Sequence, residues 1–293
     1  MPSALTDDGV KLHYQSYGSG SAVLFIHEFG GNWWSWEPQI SYFARRHRCI
    51  TYAARGYPPS DVPSEMKSYS MDRAVQDAVS VIDDAGLEQA HFVGLSKGGF
   101  TALHAGLAYP DRVRSIVAAG TGYGAEKQHG EYFRRISLEV ARRFEEEGAQ
   151  KFAPVYAEGA SRVQFQAKDP LGWGLFAERL AQHDPVGAAN TMRGIQARRP
   201  SLYDLEDHFR AMDVPTLIVN GDEDDHCLQP GIFLKRVIRR CGLAVLPKTG
   251  HTVNLEEPDL FNLLLANFLI QVEADKWPPR DPRANPDQIM RTD

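Results

Sequence analysis

The feature that most constrains the fold is an alternation of apolar, strand-length runs with segments of helical periodicity over the first 120 residues. The strand-like runs are VKLHYQSYG, AVLFIH, CITYAA, AHFVGL and RVRSIVAAG. The helical segments between them include WEPQISYFARR and SMDRAVQDAVSVIDDAG. Because strands separated by helices pair in parallel, the pattern predicts the α/β class, with a mostly parallel sheet and helices on both faces.

The pattern changes between residues 121 and 208, where charged, helix-forming sequence such as EYFRRISLEVARRFEEEGAQ replaces the strand-like runs. Strand patterns return at VPTLIVNG and LAVLPKTGH, and PDLFNLLLANFLIQVEAD is typical of an amphipathic closing helix. We therefore predict a core formed by residues 1–120 and 209–275, with a helical cap at 121–208. Residues 276–293 are rich in proline and have little to bury, which predicts an extended or mobile tail.

Charge and composition argue against several classes of partner. The chain has a formal net charge of −6 and no basic block, so nucleic acid is not an expected partner. No apolar run approaches the roughly 20 residues of a membrane helix, and the first residues lack the apolar run of a signal peptide. We therefore expect no membrane partner and a cytoplasmic location. Cys49, Cys227 and Cys241 are widely separated, which favours neither a disulfide framework nor a metal site.

The sequence VGLSKGG places Ser96 where a strand-like run passes into a helical segment. Gly94 and Gly98 flank the serine two positions away on each side and complete the spacing G-x-S-x-G, which is typical of a nucleophile elbow. Residues without side chains allow the strand and the helix to approach closely at such a turn. The alternative is an ordinary strand-to-helix loop whose glycines are incidental.

A hydrolytic serine also needs a base and an acid, and both have candidates at the ends of later strands. The run NGDEDD follows one strand, and His251 follows Gly250 after another, just before a helix. This chain order of serine, acid and histidine is that of one of the three well-known serine hydrolase folds. The other histidines lie in contexts that predict surface, packed or loop positions: His13, His47, His129, His183 and His208 at the surface, His104 packed behind Ser96, and His226 near the mouth of the site.

With these motifs in view, residues 9 to 273 resemble the α/β-hydrolase superfamily. The resemblance rests on HEFGG, ARGYPPSD, GLSKGG, NGDEDD and GHTVNLEEP. It implies a sheet of about eight strands with a helical cap insertion. It also implies that Asp224 is the acid that partners His251, with Asp225 second and Asp222 third in preference.

The same resemblance implies an oxyanion hole formed by the backbone N–H groups of Phe29 and Lys97, with His27 bracing the loop. Two positions depart from the family pattern. Glu28 stands where glycine is usual, and Lys97 stands where an apolar, Gln or Met side chain is common. Because both charged residues must lie beside the same oxyanion, we predict a direct or water-bridged ion pair between them, with outward-pointing side chains as the alternative.

These assignments predict a serine hydrolase that cleaves carboxylic esters through an acyl-enzyme, with Ser96, His251 and Asp224 as its triad and a small-molecule ester as its substrate. No metal or organic cofactor is required. The alternatives are hydrolysis of a C–C bond or acyl transfer with the same triad, and a ligand-binding receptor without turnover. Dehalogenation and epoxide opening are not implied, since Ser96 occupies the position of the aspartate nucleophile that those reactions use. The predicted substrate contacts are Glu28, Trp33, Trp34, Tyr123, Trp173 and Val253.

Overall fold

A computed structural model describes residues 2–284 of the chain. Within them, one sheet contains eight strands. The strands are β1 (Ser3–Leu5), β2 (Lys11–Tyr17), β3 (Ala22–Ile26), β4 (Arg48–Tyr52), β5 (Ala90–Leu95), β6 (Val113–Ala119), β7 (Thr216–Gly221) and β8 (Cys241–Leu246). This number agrees with the predicted sheet of about eight strands.

The strand order is β1-β2-β4-β3-β5-β6-β7-β8. Strands β1, β2 and β4 pair antiparallel, and every later neighbour pair is parallel. The carboxyl ends of β3, β5, β7 and β8 therefore lie along one edge of the sheet, which is where an open α/β sheet presents its ligand site. The predicted mostly parallel sheet is confirmed.

Both faces of the sheet are buried. In β3, Leu24 and Ile26 belong to one apolar cluster, whereas Val23 and Phe25 belong to a second cluster on the other face. This division follows from the strand period of two residues. Residues that are apolar on both faces explain why β3, β5 and β7 appear in the sequence as continuous apolar runs.

Twelve α-helices and six shorter helical turns connect these strands within residues 2–284. The α-helices are α1 (Glu37–Phe43), α2 (Met71–Asp84), α3 (Lys97–Ala108), α4 (Lys127–Glu147), α5 (Ala149–Ala157), α6 (Val163–Lys168), α7 (Pro170–Leu180), α8 (Pro185–Thr191), α9 (Glu206–Ala211), α10 (Asp225–Val237), α11 (Val253–Glu256) and α12 (Pro258–Glu273). The short turns are 3₁₀-helical at Trp33–Trp36, Met66–Ser68, Pro110–Arg112, Ala160–Arg162 and Leu202–Leu205, and π-helical at Met192–Gln196.

The segment between β6 and β7 consists of helices joined by loops, with no strand among its residues, all of which the structure describes. Helix α4 packs against α8, and α5 packs against α7. Long α4 carries its charges on an exposed face, where Arg142 pairs with both Glu139 and Glu146. We refer to residues 121–208 as the helical segment; its status as a separate cap remains a prediction.

The C-terminal tail is more firmly attached than its composition predicts. The Trp277 indole packs edge-on against Phe268, with ring centroids 4.8 Å apart, and its N–H donates to the Arg240 carbonyl oxygen at 2.9 Å. The Arg240 Nε returns a hydrogen bond to the Trp277 carbonyl oxygen at 2.8 Å. One aromatic residue is therefore sufficient to anchor the start of the tail. Residues 285–293 of the predicted tail lie outside the described residues.

Three histidines that were predicted at the surface are buried instead: His13, His47 and His183. His13 packs edge-on against Trp33, and His183 packs edge-on against Tyr57. His47 forms a hydrogen bond of 2.9 Å with the Ser21 hydroxyl. Polar neighbours in sequence misled the prediction because burial depends on tertiary contacts that the local sequence does not show.

Candidate active site

Ser96 lies at the sharp turn between β5 and α3. Its backbone has φ = 53° and ψ = −116°, a region that side-chain-bearing residues rarely adopt. A Cβ atom added to Gly94 would lie 2.1 Å from the Gly98 carbonyl oxygen, and one added to Gly98 would lie 2.0 Å from the Ile26 carbonyl oxygen. Only glycine fits at either position, so the two glycines that flank Ser96 are required by the packing of α3 against β5 and β3.

His251 and Asp224 form a buried pair at the carboxyl ends of β8 and β7. The His251 Nδ1 atom lies 2.8 Å from Asp224 Oδ2. Burial tends to raise the pKa of Asp224, but the attraction and hydrogen bond of His251 outweigh it and hold that pKa below its usual value. The carboxylate is therefore ionised at neutral pH and favours the tautomer with a proton on Nδ1.

The backbone around His251 is held by a second buried carboxylate, that of Glu256. Its oxygens accept hydrogen bonds from the Gly250 N–H at 2.6 Å and the Thr252 N–H at 3.0 Å. The Thr252 hydroxyl adds a third hydrogen bond, at 2.9 Å. The backbone N–H groups of the residues before and after His251 are thus held by one side chain, which restrains the imidazole position.

The loop after β3 is braced by His27 and Tyr57. His27 Nδ1 lies 2.6 Å from the Glu28 carbonyl oxygen, and Nε2 accepts from the Ala54 N–H at 3.1 Å. Burial lowers the pKa of His27 well below its usual value, so the ring is neutral and can hold both bonds. The Tyr57 hydroxyl donates to the Phe29 carbonyl oxygen at 3.0 Å.

Neither the Phe29 N–H nor the Lys97 N–H donates a hydrogen bond within residues 2–284. Buried amides without acceptors are uncommon, and both residues are buried. Phe29 and Ser96 line one cavity, and Lys97 is the residue after Ser96. The two amides thus have the capacity to receive a negatively charged oxygen near Ser96.

Glu28 forms a buried ion pair with Arg162, not with Lys97 as predicted from the sequence. Glu28 is 2% exposed and Arg162 is 1% exposed. The residue Arg162 comes from a 3₁₀ turn of the helical segment, far along the chain from Glu28. No motif surrounds Arg162, so sequence analysis had no signal by which to identify it.

Lys97 has no ion-pair partner among the described residues, and its side chain is 2% exposed. Its Nζ lies 5.2 Å from the centre of the Tyr57 ring, within the range of a cation–π contact. Burial lowers the pKa of Lys97 to about 8, although the charges of Asp77 and Glu28 oppose this effect. The direct ion pair predicted between Lys97 and Glu28 is therefore absent, and the Glu28 carboxylate binds Arg162 instead.

A cavity of about 430 Å³ joins the sheet edge to the helical segment. Ser96, His251 and Phe29 line it from the sheet side. Aromatic and apolar side chains of the helical segment form much of the opposite wall: Tyr132, Phe133, Val140, Phe152 and Tyr156. A cavity of this kind, mainly apolar with a few polar groups, is typical of a small-molecule site.

Of the six predicted substrate contacts, Glu28 and Tyr123 line this cavity. The Tyr123 ring also lies edge-on to His251, with the two ring centroids 4.8 Å apart. Burial and the nearby charge of Asp224 raise the pKa of Tyr123, which therefore remains a neutral phenol.

The other four predicted contacts lie outside the lining of this cavity. Trp33 packs against His13, and Trp34 lies beneath the Arg179 guanidinium at 4.6 Å. The Trp173 indole donates to the Ala157 carbonyl oxygen at 2.9 Å, within the helical segment. Val253 is part of the apolar cluster beneath the sheet. Their aromatic or apolar character serves packing rather than this cavity.

Asp224, Cys227 and His251 offer oxygen, sulfur and nitrogen atoms within 4.8 Å of one another, a spacing that could suit a metal ion. Burial raises the pKa of the Cys227 thiol well above its usual value, which disfavours the thiolate that a metal needs. His251 and Asp224 also already bind each other. The group therefore fits an acid–base pair better than a metal site.

None of the helices in residues 2–284 is both long enough and apolar enough to cross a membrane.

A family profile described as the alpha/beta hydrolase fold matches residues 21–258. The match includes the loop after β3, the turn at Ser96 and the His251 loop. It therefore covers every element that forms the sheet side of the cavity.

Individual proteins similar to this chain have several activities in their names. A Bacillus subtilis (strain 168) protein with the provisional name 2-succinyl-6-hydroxy-2,4-cyclohexadiene-1-carboxylate synthase is 27% identical, over 90% of this chain and 97% of that protein. The 3-oxoadipate enol-lactonase 1 of Acinetobacter baylyi is 25% identical, over 90% of this chain and 95% of that protein. The solved structure of Est816, described as an N-acyl homoserine lactone degrading enzyme, has a TM-score of 0.74 and 29% identity, over 91% of this chain and 100% of that one.

Proposed function

This chain belongs to the alpha/beta hydrolase family, and we propose that it hydrolyses carboxylic esters, including cyclic esters, by way of an acyl-enzyme formed on Ser96. The observation that carries the proposal is the arrangement at the cavity. Ser96 stands there on a positive-φ turn with His251, whose Nδ1 is bound by the ionised Asp224. The names of two relatives, which refer to lactones, support the inclusion of cyclic esters.

In this mechanism the Ser96 hydroxyl attacks the ester carbonyl carbon while His251 Nε2 accepts its proton. Asp224 holds the imidazole in the required tautomer and stabilises the imidazolium. The Phe29 and Lys97 amides donate to the oxygen that becomes negatively charged. His251 then returns the proton to the leaving alkoxide. A water molecule, deprotonated by His251, then attacks the acyl carbon. The ester bond to Ser96 breaks, His251 returns the proton to the Ser96 oxygen, and the acid is released.

The test is a panel of p-nitrophenyl esters of increasing acyl length, a γ-lactone and a vinylogous dienoate of the type cleaved at a C–C bond. We expect ester and lactone cleavage, with Ser96→Ala lowering kcat/KM by about 10⁴-fold or more. Asp224→Asn should lower kcat by about three to four orders of magnitude, because the imidazole loses the partner that fixes its tautomer.

The exposed neighbour Asp225 gives the matched control, since Asp225→Asn removes a carboxylate one residue away without touching His251. Normal ester turnover by Ser96→Ala would refute the proposed nucleophile. Cleavage of the dienoate without cleavage of any ester would replace ester hydrolysis with C–C bond hydrolysis.

A further inference from the structure

Arg162 is a buried cation whose hydrogen-bonding capacity is only partly used. It lines the cavity that contains Ser96, and its Nη2 donates to Glu28. Its Nε and Nη1 atoms are buried and have no hydrogen-bond partner among the described residues. The Phe176 ring lies 5.1 Å from the guanidinium carbon and shields one side of the group.

Unpartnered donors on a buried guanidinium are costly, because the charged group has lost its water without a full set of acceptors. Glu28 offsets the charge, and together with neighbouring tyrosines it keeps the pKa of Arg162 above its usual value even though burial opposes this. The group is therefore a permanent cation at the cavity wall, with N–H groups that have no acceptor among the described residues.

The remaining charges of the cavity leave an excess of positive charge. Arg199 also lines it and donates to the Tyr123 carbonyl oxygen and to the Gln196 side chain, both of which are uncharged. No carboxylate pairs with Arg199 within residues 2–284. The carboxylates beside the cavity are already engaged, Glu28 by Arg162 and Asp224 by His251.

We propose that the substrate carries a carboxylate in addition to its ester group, and that Arg162 binds this carboxylate with support from Arg199. The inference rests on the proposed ester hydrolysis and names its substrate class. A carboxylate is the expected occupant because charge-assisted hydrogen bonds to a guanidinium are strong and directional. The aromatic walls at Phe133, Phe152 and Tyr156 are suited to the carbon chain between the two groups.

The test compares two sets of p-nitrophenyl esters of adipic, suberic and sebacic acids. In the first set the far carboxyl group is free, and in the second set it is a methyl ester. The Ser96→Ala protein measures the background rate of each ester. We expect wild-type kcat/KM to favour the free acid of at least one chain length by roughly 10- to 100-fold, the range expected for charge-assisted hydrogen bonds.

Two variants test the role of Arg162 in opposite directions. Glu28→Gln removes the carboxylate that competes for Arg162, so the preference for the free acid should rise. Arg162→Met is combined with Glu28→Gln so that no buried carboxylate is left unpaired, and this double variant should lose most of the preference. Comparing the two esters within each variant cancels any general loss of activity.

Binding to Ser96→Ala separates this inference from the proposed reaction. By calorimetry, monomethyl suberate should bind this protein, and dimethyl suberate should bind at least tenfold more weakly. Equal binding, or equal Ser96-dependent rates on both ester types, would overturn the carboxylate inference and leave ester hydrolysis intact. Selective carboxylate binding without Ser96-dependent hydrolysis of any ester would support the inference and refute the proposed reaction.

Discussion

Arg55 and Arg162 are both almost completely buried, yet their surroundings are opposite. Arg55, in the loop after β4, donates to both oxygens of Asp77, to both oxygens of Asp8 and to the Ser68 carbonyl oxygen. Arg162, in the helical segment, has one carboxylate partner and two unpartnered nitrogens. The first guanidinium is saturated by the protein, whereas the second retains two nitrogens without an acceptor in the described part of the chain.

The difference teaches how to separate a structural cation from one available to a ligand. Burial alone does not distinguish them, since both side chains are about 1% exposed. Hydrogen-bond saturation does, because all three guanidinium nitrogens of Arg55 donate to acceptors whereas two of those of Arg162 do not. Lys97 is a third buried cation; it has no ion pair among the described residues, and its Nζ lies 5.2 Å from the centre of the Tyr57 ring.

The largest effect is expected at Arg55. Arg55→Met should reduce the free energy of unfolding by about 3–5 kcal/mol, because it leaves the buried Asp77 without a partner. The Glu28→Gln, Arg162→Met double variant is the matched control: it neutralises both members of its pair and should cost far less. Urea unfolding followed by circular dichroism measures both. Equal losses would mean that the two arginines serve the fold alike, and the contrast between them would fail.

A smaller effect of opposite sign is expected at Lys97. Burial lowers its pKa from 10.5 to about 8, so at pH 7 the folded protein holds a desolvated charge. Lys97→Met should therefore stabilise the protein at pH 7 by on the order of 3 kcal/mol. Its proposed role in the site uses the backbone N–H, which the substitution retains.

The sign of the pH dependence follows from the same shift. Between pH 8 and 10.5 the unfolded chain holds more protons on Lys97 than the folded chain. The free energy of unfolding of the wild-type protein therefore rises with pH and approaches that of the Lys97→Met variant. The increase in the free energy of unfolding caused by Lys97→Met should therefore be largest below pH 8 and vanish above pH 10.5. Lys67→Met, at an exposed lysine, should show no such trend. A pH-independent difference would contradict the assignment to Lys97 ionisation.

The smallest effect is expected on the exposed face of α4. Arg142→Ala removes the pairs with Glu139 and Glu146, but all three side chains are about half exposed, so water and salt screen their attraction. The unfolding midpoint should remain that of the wild-type protein in thermal scans at low and high salt. A clear loss of stability would show that ion pairs in the helical segment do more for the fold than solvent exposure suggests.

Prediction from sequence succeeded where the local structure depends on a local sequence pattern. Ser96, Gly94 and Gly98 were found because a turn between a buried strand and a helix restricts residue type, and His251 because it follows a strand and a glycine. The hydrogen bond between Asp224 and His251 is present in the structure, while their roles in catalysis remain a prediction.

Prediction from sequence failed where tertiary contacts determine the partner or the position of a side chain. Arg162 pairs with Glu28 across a sequence separation of 134 residues, and no local sequence pattern predicts this contact. Trp33, Trp34 and Trp173 were chosen for their aromatic character, but that character suits packing as well as binding. The Trp277 anchor was missed because the composition of a whole segment conceals what a single side chain can bury.

The ion pair between Glu28 and Arg162 affects the design of chimeras in which segments are exchanged between related proteins. One partner belongs to the loop after β3 and the other to the helical segment, so neither region is independent of the other. A chimera whose helical segment comes from another protein and lacks an arginine at position 162 would bury the negative charge of Glu28 without a positive partner. Residues 28 and 162 should therefore be taken from the same parent protein in any chimera, although they lie in different regions of the chain.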